Sequence, residues 1–142
     1  MPKPFPLAAL LRLRRTEQDI AGAELARANT RVRENANTEK RARRALASYG
    51  DTATSTETLR AIAASRQAAA AMLSELTALA AMDLDTQEQA QADYLAARTR
   101  AVGLEKTELK HRIATHAAEL KAEQLILDEI ALTRTTTEPD DE

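Results

Sequence analysis

Cysteine and tryptophan are absent from this chain of 142 residues, which carries only two tyrosines and one phenylalanine. Without cysteine there is no disulfide framework, no thiolate metal site and no cysteine nucleophile. With aromatics at 2%, an apolar content of 44% overstates the bulk available for a globular interior, because much of it is alanine. Three glycines and few β-branched runs leave almost no vocabulary for hairpins, so strands are not expected. No uninterrupted apolar run approaches about 18 residues, and no apolar leader precedes a small-residue cleavage site. The expectation is a soluble, cytoplasmic protein.

What remains is 30% charged residues with abundant Ala, Glu, Arg and Leu, the composition of long helices pairing through narrow seams. Pro2, Pro4 and Pro6 delay helix until Pro6 or Leu7. From Leu7, steps of four and three give Leu11, Arg14, Gln18, Ala21, Leu25, Ala28, Val32, Asn35, Glu39, Ala42, Leu46 and Tyr49, the heptad spacing of a coiled-coil seam. Arg14, Gln18, Asn35 and Glu39 stand where a pure stabiliser would be Leu. Two readings are open for them: they tune register, or they belong to a stretch left uncovered for a partner. Gly22 inside this helix costs about 1 kcal/mol relative to Ala unless another backbone comes close.

Gly50 as a C-terminal cap and Asp51-Thr52-Ala53-Thr54-Ser55-Thr56 mark the one clear turn, with Thr54 and Glu57 as a capping box for the next helix. The second stripe runs through Leu59, Ile62, Ala69, Leu73, Leu76 and Ala80, weakens at Met82–Gln87, and resumes in shifted phase at Leu95, Val102, Leu109, Ile113, Leu120, Leu127 and Ile130. Such a shift is the signature of a stutter. The fold expected is all-α, an elongated antiparallel two-helix coiled-coil hairpin spanning residues 1–134. It comprises a helix over about 6–49, a turn over about 50–55 and a long helix over about 56–134, with 83–86 the place where any kink would fall. Residues 135–142, ending Glu138-Pro139-Asp140-Asp141-Glu142, are expected to be a disordered acidic tail. Because the second arm is far longer than the first, either roughly 35 of its residues overhang, or a break near Asp85 pairs the N-terminal helix with the C-terminal one.

The net charge of −2 hides a basic first third and an acidic middle. No Gly-rich phosphate loop or nucleophile elbow occurs, so the chain reads as a non-enzyme with no catalytic residues and no cofactor. His111 and His116 point about 140° apart on a helix. Glu108-Leu109-Lys110-His111 is a single Glu-x-x-His where carboxylate-bridged di-iron bundles need two, and Leu109 rather than His111 falls on the expected seam, so no metal is expected. Lys40, Arg41, Arg43 and Arg44, like Arg12, Arg14 and Arg15, lack interleaved aromatics and share the chain with acidic stretches, so no nucleic-acid partner is expected. Direct membrane binding lacks its apolar face.

The opening Phe5-x-Leu7-x-x-Leu10-Leu11-x-Leu13-Arg14-Arg15-x-Glu17, the break after Tyr49 and the late Leu127-Asp128-Glu129-Ile130-Ala131 together resemble the FliJ family, small coiled-coil proteins of the flagellar type III export apparatus. The resemblance implies a stalk and general export chaperone. It would bind the hexameric export ATPase, the cytoplasmic domain of the export gate protein and export substrate chaperones, touching the inner membrane only through these partners. On this likeness the ATPase-facing end comprises Leu7, Leu10, Leu11, Arg14, Arg15 and Glu17, pairing with Leu127, Asp128, Glu129 and Ile130. The gate-facing end comprises Leu46, Tyr49, Leu59 and Ile62, with alanines at 63 and 68–71 where relatives carry bulk. The equivalent stalk of a virulence type III secretion system is the nearest variant. A self-assembling structural coiled coil is the alternative from another class.

Overall fold

The computed structural model describes residues 2–48 and 52–135, and these form two helices, α1 (Ala8–Ser48) and α2 (Thr56–Thr135), with no strand among the described residues. The fold is an all-α antiparallel helical hairpin. The Gly50 cap, Tyr49 and the acidic tail lie outside the described residues.

α1 starts one turn after Pro4. The Ala8 amide reaches the Phe5 carbonyl at 3.2 Å, and the first α-type bond runs from the Leu11 amide to the Leu7 carbonyl at 2.9 Å. α2 starts on Ser55 rather than Thr54. The Ser55 hydroxyl accepts the Thr58 amide at 3.1 Å and lies 2.8 Å from the Thr58 hydroxyl. The side chain three residues on is thus Thr58, and the expected Thr54–Glu57 box is replaced by a Ser cap that satisfies one orphan amide.

Residue contacts divide the chain into two units, Met1–Thr16 with Arg98–Glu142, and Glu17–Ala97. In the second of these, Gln18, Ala21, Leu25, Val32, Asn35, Glu39, Ala42 and Leu46 are half-buried and Ala28 is 1% exposed. The heptad phase read for α1 is therefore the one it buries. Opposite it α2 presents Ala69, Leu73, Leu76, Ala80, Asp83, Gln87, Ala90, Tyr94 and Ala97. The direction of pairing is fixed by polar contacts. The Asn35 amide donates to the Asp83 carboxylate, the Gln87 amide donates to the Asn29 side-chain oxygen at 2.6 Å, and Gly22 lies under the Tyr94 ring. Partner numbers on α2 fall as those on α1 rise, which is antiparallel pairing. This register carries Ser48 to the level of residues 68–70, so α2 begins well before α1 ends, and pairing does not start at the turn.

In the first unit, Leu11 is 3% exposed and Ala101 is fully buried. Around them lie the half-buried Leu10, Arg14, Val102, Leu104, Glu105, Glu108 and His111. The Phe5 and His111 rings approach to 5.6 Å between centroids, and His111 Nε2 donates to the Lys3 carbonyl at 3.0 Å. The extended lead before α1 therefore lengthens the pairing as far as His111.

α2 is one unbroken helix, helical through 83–86, as the long-helix expectation had it. One expectation for it is corrected: its buried positions keep a single alternation of threes and fours from Leu73 to Thr115. There is no stutter. Leu95, Leu109, Ile113, Leu120, Leu127 and Ile130, read as the resumed seam, are exposed, whereas Glu108 and His111 face α1. Alongside Leu73, Leu76, Tyr94 and Leu104, small and polar residues share the true seam, because alanines let two helices approach closely; no buried side-chain nitrogen or oxygen lacks a hydrogen bond among the described residues.

Candidate partner-binding surfaces

The residues expected at the ATPase-facing end separate into different environments. Leu10 and Leu11 face α2 and hold the hairpin together, so their bulk is committed to packing, while Leu7 is exposed. Arg14 is half-buried. Arg15 is exposed, and its Nε donates to Glu105 Oε1 at 3.2 Å, with Glu108 Oε2 at 4.0 Å from the other end of the guanidinium. Glu17, half-buried, belongs to the other unit.

Leu127, Asp128, Glu129 and Ile130 are not paired with this start. The lead into α1 meets α2 at His111, and 16 residues of helix, about 24 Å, separate His111 from Leu127. From His116 to Thr135 every residue of α2 is exposed, with Leu120, Leu125, Ile126, Leu127, Ile130 and Leu132 the large apolar side chains among them. The exposed stretch is about 20 residues rather than roughly 35, since α2 starts upstream of the level of Ser48 and the Lys3–Phe5 lead covers part of the rest.

At the expected gate-facing end, Leu46 and Ile62 are half-buried and Leu59 is exposed; Tyr49 lies outside the described residues. The same unit carries an open groove of about 670 Å³ lined by Ile20, Ala21 and Ala90 and by the carboxylate residues Glu17, Glu24, Asp85 and Asp93. Among the described residues no group of His, Cys, Asp and Glu could hold a metal ion. No helix is long and apolar enough to cross a membrane among them either.

The feature that sequence reasoning misplaced is the outer face of α2. Its signal is Val102, Leu109, Ile113, Leu120 and Leu127 at heptad spacing, which periodicity alone places on the seam with α1. Positions 101, 104, 108 and 111, which face α1, occupy a and d of the heptad, and Leu109, Ile113, Leu120 and Leu127 fall on b and f, away from α1, with Val102 half-buried at the edge of the seam. Comparison of the chain with family models, with curated proteins and with solved structures returned no match.

Proposed function

We propose that this protein is a non-enzymatic coiled-coil component of a type III protein export apparatus, resembling FliJ, which binds the hexameric export ATPase and works as a stalk and general chaperone. The observation that carries the reading is the exposed end of α2. A helix that keeps Leu120, Leu127 and Ile130 in solvent leaves apolar surface that association with a partner would cover. The N-terminal motif, which meets α2 about 24 Å short of Leu127, supplies Leu7 and the Arg14–Arg15 pair as further contacts. The export gate would meet Leu46, Tyr49, Leu59 and Ile62, and substrate chaperones the exposed flanks. On this reading the protein acts in the cytoplasm at the inner-membrane export gate, in a flagellar system or its virulence counterpart.

Affinity co-purification of the full chain with an export ATPase tests the proposal. Capture of the hexamer, lost on Leu127→Asp with Ile130→Asp while helicity is unchanged, is the expected result. Failure of the wild-type chain to retain the ATPase contradicts it. A second reading, self-assembly, is favoured by the outer face of α2 and draws on the same Leu120, Leu127 and Ile130.

A further inference from the structure

We infer that the outer face of α2 is a second coiled-coil seam whose occupant is another copy of the same chain, running antiparallel about a twofold axis between Ala114 and Thr115. The face consists of Thr99, Val102, Lys106, Leu109, Ile113, His116, Leu120, Glu123, Leu127 and Ile130 in unbroken steps of three and four. All lie within the unit containing Arg98–Glu142. Leu109, Ile113, Leu120, Leu127 and Ile130 are exposed, Ile113 at 61% and Leu127 at 65%.

The choice of occupant comes from the residues that interrupt this stripe. Lys106 and Glu123 are its only charged members. A parallel in-register dimer would set Lys106 against Lys106 and Glu123 against Glu123, two like-charge clashes within a seam. In the antiparallel register, where each a-type layer meets a d-type layer, Lys106 of one chain meets Glu123 of the other, and the twofold makes this happen twice. The same register brings Leu109 to Leu120, Val102 to Leu127 and Ile113 to His116.

The positions beside the seam agree. On one flank Arg112 falls next to Glu119 of the second copy, again twice, and on the other flank Lys110 meets Ala117. No like charges oppose each other between Thr99 and Ile130. α1 occupies the a and d side of α2; it half-buries Val102 at one end of the stripe and leaves Lys106 to Ile130 of the stripe exposed. The layers extend over about 47 Å of helix. The inference shares Leu120, Leu127 and Ile130 with the export reading but does not rest on it: its test uses the purified chain alone, without an ATPase.

Sedimentation equilibrium of the full chain and its charge variants tests it. The wild type is expected to show a reversible monomer–dimer equilibrium. Lys106→Glu and Glu123→Lys, each placing like charges at two symmetry-related points, should each weaken the dimer about tenfold or more, and the double reversal should restore it. Because the chain has no native cysteine, Leu109→Cys with Leu120→Cys supplies an independent readout. The two sites are about 16 Å apart along one helix and cannot bridge within it, so oxidation should give a covalent dimer, while Leu109→Cys alone should cross-link poorly. A monomer at every concentration, equal affinities for wild type and single reversals, or ready cross-linking of Leu109→Cys to itself would overturn the inference.

Discussion

The side-chain amide of Asn35 on α1 donates to the carboxylate of Asp83 on α2, joining two polar residues at seam positions of the Glu17–Ala97 unit. Arg31 adds an ion pair, its Nε 3.9 Å from the second oxygen of Asp83. A polar pair in an otherwise alanine-rich seam penalises every register in which the two do not meet.

Asn35→Ala removes the amide and leaves a half-buried Asp83 carboxylate short of a donor. Thermal unfolding followed by circular dichroism should show a loss of about 1–2 kcal/mol. Replacing both residues by leucine should raise the melting temperature instead. The same double variant should also admit alternative registers, seen as extra cross-linked species from cysteine pairs placed along the seam.

Gly22 offers the opposite opportunity. A methyl group there would meet the Tyr94 ring at 3.5 Å, ordinary van der Waals contact, and nothing nearer. Gly22→Ala should therefore recover close to the full helix-propensity difference, about 1 kcal/mol, as a rise of a few degrees in melting temperature. The glycine is kept by neither backbone conformation nor close backbone approach.

The phase of α2 gives a third prediction. Ala101 is fully buried and Leu109 is exposed, so Ala101→Leu should destabilise the hairpin by about 1–3 kcal/mol through overpacking. Leu109→Ala should leave monomer stability nearly unchanged in dilute solution. If Leu109 were part of the seam with α1, the two effects would be reversed.

Reversing Arg15 sets a glutamate beside Glu105 and Glu108. The guanidinium and the Glu105 carboxylate are both substantially exposed, so the cost to stability of Arg15→Glu should stay within about 1 kcal/mol. Loss of ATPase capture in a variant that melts close to wild type would then report on the contact itself.

α1 was legible from its sequence because most of its large residues share one phase: Leu11, Leu25, Val32 and Leu46 mark it, Ala28 and Asn35 follow by spacing, and the off-phase Leu13 and Ile20 stop after one heptad. α2 was legible as a helix, and in its orientation over Ile62, Ala69, Leu73, Leu76 and Ala80, but not beyond Met82. It carries two heptad series, and the bulkier one, Leu109-Ile113-Leu120-Leu127, points away from α1. The series that faces α1 is Ala90, Tyr94, Ala97, Ala101, Leu104, Glu108 and His111, mostly small or polar side chains that carry little hydrophobic signal. Their burial follows from what the partner helix presents, which periodicity within one helix does not contain. The FliJ likeness, not the periodicity, pairs Leu127–Ile130 with the N-terminus, and the Lys3 and Phe5 contacts with His111 stop the pairing about 24 Å short of it.

The most direct test of the functional account is sedimentation velocity of the labelled full chain mixed with a hexameric export ATPase. The account predicts that the chain moves with the hexamer, and that Leu127→Asp with Ile130→Asp returns it to its own slow boundary without loss of helicity. A wild-type chain that sediments the same with and without the ATPase would contradict it.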